Sequence, residues 1–348
     1  MASLQAADIP DLVTTTLRSL GRLKMTDNMS KYRRTVALKR IIRDKKMTVD
    51  DGYEFQFNVI TGTNGSARGV PLAARDQVSI NNVMTTGSMP FRHVTWNWAY
   101  DQREPSMNGG ASKIVDLLKV RRITAHGDAI AYFENKLWRV QPLTNTIDMQ
   151  GIPYWVVKNN TEGFNGTVPA GHTTVANISS TLYPRWANWT AQYATVDETD
   201  MIRKARKAAF MTDFEPFVDD VATYNMGDDY GFYTNYAVYG TMVEILESQN
   251  DNLGKDIASM EGKVLFMRVP IMAVQELEDD TTNPFYGINW GVMHACRLRG
   301  WWMRETVIPT KSDQHTITLT HTDCSLNTIC HDRRRNFVIA LDTTELAV

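Results

Sequence analysis

One amphipathic stretch, from Ala111 to Arg139, constrains this chain more than any other feature of its sequence. Its apolar side chains recur at three- and four-residue steps, as on one face of a helix. They are Ile114, Leu117, Leu118, Ile123, Ile130, Phe133 and Leu137. A continuous helix of this length spans about 40 Å, more than one domain core needs, so we interpret it as a brace within an assembly. Gly127 weakens the helix by about 1 kcal/mol relative to alanine. The alternative that the helix is interrupted at Gly127 stays open.

A strongly basic segment lies near the N-terminus, although the whole chain has a net charge of only −2. Eleven basic and two acidic residues fall between Arg18 and Lys46, which gives this segment a charge of +9. A basic arm on a mildly acidic body favours contact with a polyanion. A second interpretation is a solvated helix face that pairs with carboxylates of a neighbouring subunit. Both hold if the arm lies on an inner wall.

Between the arm and the long helix the apolar period changes to two, which is typical of strands. Aromatic and polar residues alternate over Tyr53–Val59 and again over Val94–Tyr100, with glycine- and asparagine-rich sequence between them. This predicts a long two-stranded hairpin with a flexible tip. An isolated hairpin is only marginally stable in water, so we expect it to rest on a neighbouring molecule. The predicted intersubunit contacts are Tyr53, Phe55, Phe57, Trp96 and Trp98.

The rest of the chain predicts a second lobe of mixed structure, followed by strands that return to the first. Thr195 and Glu198 form a capping-box pattern before a short helix. From Gly300 onward, strands are expected over 301–308, 315–321 and 336–342. We predict that these last strands pack beside the long helix, because its apolar face needs a cover.

Composition excludes several classes of protein. No apolar run approaches the roughly 20 residues needed to cross a bilayer, and the N-terminus lacks a secretion signal pattern. The three cysteines imply no disulfide framework and fit a reducing compartment.

Candidate chemical sites are few, and each has a plainer structural interpretation. His321, Cys324, Cys330 and His331 lie on predicted strands and a turn, without the close ligand spacing of a zinc site. The loop from Gly62 to Gly69 lacks the lysine of a phosphate-binding loop. We therefore predict no catalytic residue, no cofactor and no metal site.

The order of these parts resembles the major capsid proteins of tailed bacteriophages with the HK97 fold. The local features that carry the resemblance are the aromatic strand Val94–Tyr100 before the long helix, and the tract Asn283–Gly291 before Gly300-Trp301-Trp302. The resemblance implies an α+β fold with an N-terminal arm (1–50) and an extended hairpin, the E-loop (51–104). It also implies a peripheral domain with a spine helix (105–144 and 299–348) and an axial domain (145–298).

The resemblance further implies a structural protein, not an enzyme, that assembles into hexamers and pentamers of an icosahedral shell around double-stranded DNA. The expected location is the virion, after assembly in the host cytoplasm. Expected partners are sister copies, packaged DNA and separate scaffolding, cement and portal proteins, with no membrane. Basic residues would screen DNA phosphates on the inner wall without reading sequence. They are Arg18, Arg22, Arg33, Arg34, Lys39, Arg40, Lys119, Arg121 and Arg122.

One departure from that family concerns how the shell is held together. Some members join an E-loop lysine to an asparagine of a neighbour, but this chain has no lysine between Lys46 and Lys113. Non-covalent contacts or a cement protein are therefore expected instead. Two other hypotheses stay open: an encapsulin-like protein compartment, and a carbohydrate-binding or carbohydrate-active protein built on the nine tryptophans.

Overall fold

The computed structural model describes residues 35–42, 47–62, 65, 67–72, 82–104, 111–212, 229–249, 264–267, 269–308 and 315–341. These ranges contain five α-helices: α1 (Val36–Ile41), α2 (Ala111–Leu137), α3 (Ile152–Trp155), α4 (Met201–Thr212) and α5 (Tyr236–Gln249). They also contain fourteen strands in three sheets. The mixture of helices and largely antiparallel sheets is the predicted α+β class.

The first sheet is built around one long strand. Its members are β1 (Thr48–Asp50), β4 (Arg92–Asp101), β11 (Met293–Leu298), β12 (Arg304–Ile308) and β13 (Ile317–Cys330). Strand β13 pairs with β4 along one edge and with β12 and then β11 along the other, all antiparallel. Helix α2 packs against β4. The returning strands β12 and β13 therefore lie in the sheet beside the long helix, as predicted.

The second sheet has seven strands in the order β5-β6-β14-β10-β7-β9-β8. They are β5 (Gly163–Gly166), β6 (Asn188–Tyr193), β7 (Tyr230–Thr234), β8 (Leu265–Phe266), β9 (Val269–Ala273), β10 (Phe285–Asn289) and β14 (Phe337–Leu341). Helix α4 packs on β6 and β14. Phe232, Phe285 and Phe337 pack together beneath it, with ring centroids 5.8–6.2 Å apart.

The last strand corrects the predicted division of the chain. Strand β14 was expected beside the long helix, but it pairs with β6 and β10 in the second sheet. Conversely, β11 falls within the predicted axial segment and yet pairs with β13 in the first sheet. Alternating apolar residues predict a strand but do not specify its partner. The chain changes sheets at the turn around Arg333, between β13 and β14.

The hairpin also has a different return strand from the one predicted. Strand β2 (Glu54–Ile60) pairs with β3 (Met84–Pro90), from Glu54 opposite Pro90 to Ile60 opposite Met84. The aromatic strand Val94–Tyr100 lies in β4 of the first sheet instead. Its aromatic face has a partner in the same chain, because Trp96 packs edge-on against Phe133 of α2.

The long helix runs from Ala111 to Leu137 without a break at Gly127. Its buried face is narrower than the predicted apolar stripe. Phe133 and Leu137 are buried, whereas Ile123 and Ile130 are 57% and 43% exposed.

His331, at the end of β13, makes stability depend on pH. Its ring packs against Phe57 and His294, with centroids 5.6 and 4.9 Å away. Burial lowers the pKa of His331 from 6.5 to about 4. Between these values the unfolded chain binds the proton that the folded chain excludes, so stability falls as the pH falls from 6.5 towards 4.

We expect unfolding at pH 4.5 to cost about 2 kcal/mol less than at pH 6.5 because of this histidine. Urea unfolding of the unassembled His331→Phe variant should show a flatter profile over that range, whereas exposed His315→Gln should leave the slope unchanged. Asp101 and Asp148 do not add to the slope over this pH range. The folded chain lowers their pKa values from 3.8 to about 2, so the stability that they contribute is lost only below about pH 3.8. An unchanged slope in His331→Phe would contradict the assignment.

Candidate subunit interface

The root of the hairpin is fixed within the chain. Phe55 and Phe57 are only 2% and 5% exposed. Phe55 packs on Phe91 at 5.5 Å, and Phe57 packs on Trp155 and Trp186 at 6.4 and 6.3 Å. The prediction that Phe55 and Phe57 contact a neighbouring subunit is therefore wrong, because one face of β2 covers the chain's own core.

The other three predicted contact residues keep some exposure. Tyr53 is 83% exposed. Trp98 is half-buried and stacks on Tyr100 at 6.2 Å. Trp96 is half-buried, and its Nε1 donates a hydrogen bond of 3.1 Å to Nδ1 of His126 on α2. Trp96 thus packs largely against its own chain. The contact of Tyr53, Trp96 and Trp98 with a neighbouring subunit stays a prediction.

The far end of the hairpin exposes apolar side chains. Ile60 and Met84 face each other across the last pair of the ladder and are 57% and 51% exposed. In the loop beyond β2, Val70 is 62% exposed and Leu72 is fully exposed. We call Ile60, Val70, Leu72 and Met84 the hairpin tip. Tight burial at the root and exposure at the tip make the hairpin an arm that presents apolar surface away from its own core.

An apolar groove of about 360 Å³ lies between α1 and α2. We call it the α1–α2 groove. Its main lining side chains are Leu38, Trp96, Ile130, Phe133, Trp302 and Met303. Ile130 and Met303 stay 43% and 46% exposed. The groove is therefore an open concave apolar surface in the single chain.

A buried carboxylate holds the α1 wall of this groove in place. Glu134 on α2 is 1% exposed and accepts hydrogen bonds of 2.9–3.1 Å from the backbone N–H groups of Val36, Ala37 and Leu38. It also accepts one from Trp138 Nε1 at 2.9 Å. Three of the four donors around this carboxylate are the N–H groups in the first turn of α1, which have no partner within the helix. Periodicity marks Glu134 only as a polar residue next to Phe133, so this role could not be predicted from the sequence.

Replacing Glu134 with glutamine should release α1. An amide keeps one acceptor oxygen but places an N–H₂ group against donors, so we expect a loss of about 2 kcal/mol. Hydrogen exchange of residues 36–41 should accelerate in Glu134→Gln more than exchange in β13. Glu244→Gln, at an exposed position of α5, is the matched control and should change neither rate. Equal protection of residues 36–41 in both variants would contradict the role of Glu134.

The predicted DNA-facing cations have mixed surroundings. Arg18, Arg22, Arg33 and Arg34 lie outside the described residues. Lys39 and Lys119 are exposed. Three of the arginines form ion pairs with carboxylates that are distant from them in the sequence. The pairs are Arg40 with Asp229 at 2.8 Å, Arg121 with Glu104 at 3.0 Å and Arg122 with Glu305 at 2.5 Å. Their charge is partly neutralised within the chain, and their contact with DNA stays a prediction.

The described part of the chain contains no group of three or more histidine, cysteine or carboxylate side chains arranged to hold a metal ion. Burial raises the pKa of Cys296 and Cys324 to about 11 and that of Cys330 to about 12. These thiols therefore stay protonated and unreactive at neutral pH. None of the helices in the described ranges combines the length and apolar character needed to cross a bilayer.

Comparison with known proteins places the fold. No protein-family model and no curated protein sequence matches the chain. Among solved structures, the cyanophage A-1(L) capsid asymmetric unit matches with a TM-score of 0.59 and 12% identity, over 93% of this chain and 98% of that one. The capsid of a native GTA particle, computed with C5 symmetry, matches with a TM-score of 0.54 and 12% identity, over 98% and 99%. The mature capsid of bacteriophage PhiM1 matches with a TM-score of 0.52 and 8% identity, over 92% and 91%.

The chain therefore has the fold of phage capsid subunits along nearly its whole length. The resemblance predicted from the order of its parts is confirmed at the level of the fold.

Proposed function

We propose that this chain is the major capsid protein of a tailed phage, which assembles into hexamers and pentamers of an icosahedral shell. The observation that carries the proposal is the match to capsid structures over more than nine-tenths of both chains. A protein of another class that contained only one capsid-like segment would match these structures over only part of its length.

In this proposal each part of the fold has a mechanical role. Helix α2 is the spine helix that keeps the subunit rigid, and the β2–β3 hairpin is the E-loop that reaches a neighbour. The first sheet belongs to the peripheral domain, and the second sheet with α4 and α5 belongs to the axial domain at the capsomer centre. The lack of lysine in the hairpin favours a shell held by non-covalent contacts or a cement protein.

The proposal includes packaged double-stranded DNA as a non-specific partner. Support comes from the +9 segment between Arg18 and Lys46 and from the exposed Lys39 and Lys119. Lysine and arginine attract phosphates without reading sequence, and this attraction weakens steeply with salt. Separate scaffolding and portal proteins, and assembly in the host cytoplasm before the virion forms, belong to the same proposal.

Electron microscopy of the purified full-length chain tests the shell. We expect closed particles or rings of five and six subunits, and a monomer that stays monomeric at high concentration in size-exclusion chromatography would contradict the proposal. Nuclease treatment of particles from producing cells tests the cargo. Protected DNA is expected, whereas shells that protect only protein would favour the encapsulin-like alternative.

A further inference from the structure

We propose that the outward face of helix α4 is a docking surface for an acidic, amphipathic segment of a partner protein. The surface consists of Arg203, Arg206, Lys207, Phe210 and Met211, and we call it the α4 face. The proposal is argued from α4 and its surroundings, and it holds whether or not the chain forms a shell. In a shell, the partner would be a separate scaffolding or cement protein.

The sequence of α4 divides the helix into two opposite faces. The first four residues of the α4 face follow the spacing i, i+3, i+4 and i+7, which places them side by side over about 10 Å of helix. All four are exposed. The buried face packs on β6 and β14 of the second sheet and consists of Met201, Ala205, Ala208 and Thr212.

The α4 face keeps most of its positive charge. Arg203 and Arg206 form no ion pair or hydrogen bond with any residue that the structure describes. Lys207 pairs with Glu162 at 2.5 Å, but the two side chains are 59% and 41% exposed, so solvent weakens this pair. The described arginines that were predicted to face DNA each have a carboxylate partner instead. The α4 face is therefore a place where unpaired arginines adjoin on one surface.

The apolar end of the α4 face favours a protein over a nucleic acid as the partner. Phe210 and Met211 are adjacent and are 78% and 41% exposed. Duplex DNA would meet the cations with its phosphates but would leave both apolar side chains in water. Arginine, aromatic residues and methionine are enriched where proteins contact each other. A segment whose carboxylates face the arginines and whose apolar side chain covers Phe210 complements both halves of the surface.

The α4 face is held in place before any partner binds. Lys204, on the same helix, donates a hydrogen bond of 2.6 Å to the carbonyl oxygen of Gln192 on β6 and pairs with Asp200 at 2.5 Å. The aromatic cluster of Phe232, Phe285 and Phe337 supports the helix from below. A fixed surface loses little freedom on binding, which favours affinity.

Peptide binding to the unassembled full-length chain tests the proposal. The probe is a synthetic amphipathic peptide of glutamate and leucine, and the matched peptide has glutamine in place of glutamate. We expect fluorescence anisotropy to show binding of the glutamate peptide that weakens as salt is added, and much weaker binding of the glutamine peptide. The double variant Arg203→Glu/Arg206→Glu should bind the glutamate peptide at least roughly tenfold more weakly. It should also acquire affinity for a peptide of lysine and leucine.

Two further variants separate the local contact from net charge. Lys119→Glu/Arg185→Glu makes the same change in charge at two exposed positions outside α4 and should bind the glutamate peptide like the wild type. Phe210→Gln leaves the charge unchanged and should weaken binding roughly tenfold, because the apolar half of the surface is lost. All substituted side chains are exposed, so we expect each variant to unfold at the wild-type urea concentration.

Every outcome supports or overturns the proposal. Absence of binding of the glutamate peptide, or equal binding by the wild type and Arg203→Glu/Arg206→Glu, would overturn it. Tighter binding of oligothymidylate or duplex DNA that this variant abolishes would identify a nucleic acid as the partner. Self-association of the chain that the same variant abolishes would identify a second copy as the occupant, and either result would overturn the proposal. Shell formation is measured separately by electron microscopy, and its failure would leave the α4 face standing.

Discussion

Replacing Arg333 with methionine is expected to abolish stable folding of the chain. Arg333 is fully buried in the turn that carries the chain from β13 in the first sheet to β14 in the second. No carboxylate lies among its hydrogen-bond acceptors. Burial lowers the pKa of its guanidinium to about 10, so the group still carries its charge at neutral pH.

All five N–H donors of this guanidinium have acceptors. Nε donates to the carbonyl oxygen of Trp155 at 2.8 Å, and one terminal nitrogen donates to those of Thr167 and Trp186 at 2.8 and 2.7 Å. The other terminal nitrogen donates to the carbonyl oxygen of Gly166 at 2.7 Å and to Asn188 Oδ1 at 3.4 Å. One side chain therefore joins its own turn to three other segments of the chain, at Trp155, at 166–167 and at 186–188.

Methionine fills a similar volume but supplies no donor, so it removes the donor that each of the four carbonyl oxygens receives from Arg333. Each unsatisfied acceptor costs about 1–3 kcal/mol. Methionine also removes the cost of burying a charge, which offsets part of this loss. We still expect the free energy of unfolding to fall by a net amount on the order of 5 kcal/mol, which equals the whole stability of many domains. Lysine should also fail, because an ammonium has three donors and no planar fork.

The measurement is soluble yield and urea unfolding of the unassembled chain for Arg333→Met and Arg333→Lys. Arg334→Lys is the matched control, since Arg334 is half-buried in the same turn and pairs with Asp332. We expect wild-type behaviour from the control and a collapse of folded yield for both Arg333 variants. A folded Arg333→Met chain within about 1 kcal/mol of wild type would refute the account.

Arg333 also illustrates what the sequence does not reveal. Within the run Arg333-Arg334-Arg335, nothing in composition or spacing distinguishes the buried residue from its neighbours. Its acceptors come from positions 145–178 residues earlier, and only the folded chain brings them together. The same holds for Glu134, whose partners on α1 lie about 97 residues away.

Local periodicity predicted the elements well where an element depends on its own residues. The long helix ends within two residues of its predicted end, because a sustained apolar stripe identifies a helix without reference to its partners. Strand pairing was predicted poorly, because alternation specifies only which side chains share a face. Val94–Tyr100 therefore reads as a hairpin strand although it pairs with β13.

The same limit of sequence patterns applies to the residues of the candidate interface. Aromatic content drew attention to Phe55 and Phe57, yet aromatic residues serve a core as readily as an interface, and these two are in the core. The exposed tip residues Val70 and Leu72 are aliphatic and lie in a glycine-rich loop, so composition gave no reason to select them. Only the exposure of each side chain in the folded chain distinguishes Phe55 and Phe57 from Val70 and Leu72.

The second large effect is expected at Gly151, which lies where the C-terminal end of α2 meets the start of α3. A Cβ atom there would lie 2.5 Å from each of three backbone carbonyl oxygens, those of Lys136, Leu137 and Arg139. The φ of Gly151 is −95°, which any residue adopts. The requirement for glycine is therefore one of space and not of backbone conformation.

Gly151→Ala should destabilise the chain by roughly 3–5 kcal/mol, at or beyond the upper end of ordinary overpacking. Backbone atoms of a packed helix end cannot rotate away as a flexible side chain does. The clash would separate α2 from α3, whose Trp155 is buried against the hairpin root. We therefore expect fewer assembled particles as well as earlier unfolding in urea.

Gly127→Ala, within α2, is the matched control, because it makes the same chemical change with the opposite expected sign. A Cβ at Gly127 meets nothing within 4 Å, so alanine should stabilise the helix by about 1 kcal/mol. The two sites are distant enough that the double variant should show the sum of the single effects. Two variants of equal stability would refute the idea that the end of α2 is packed against Gly151, while opposite signs would support both a continuous helix at Gly127 and a closely packed end at Gly151.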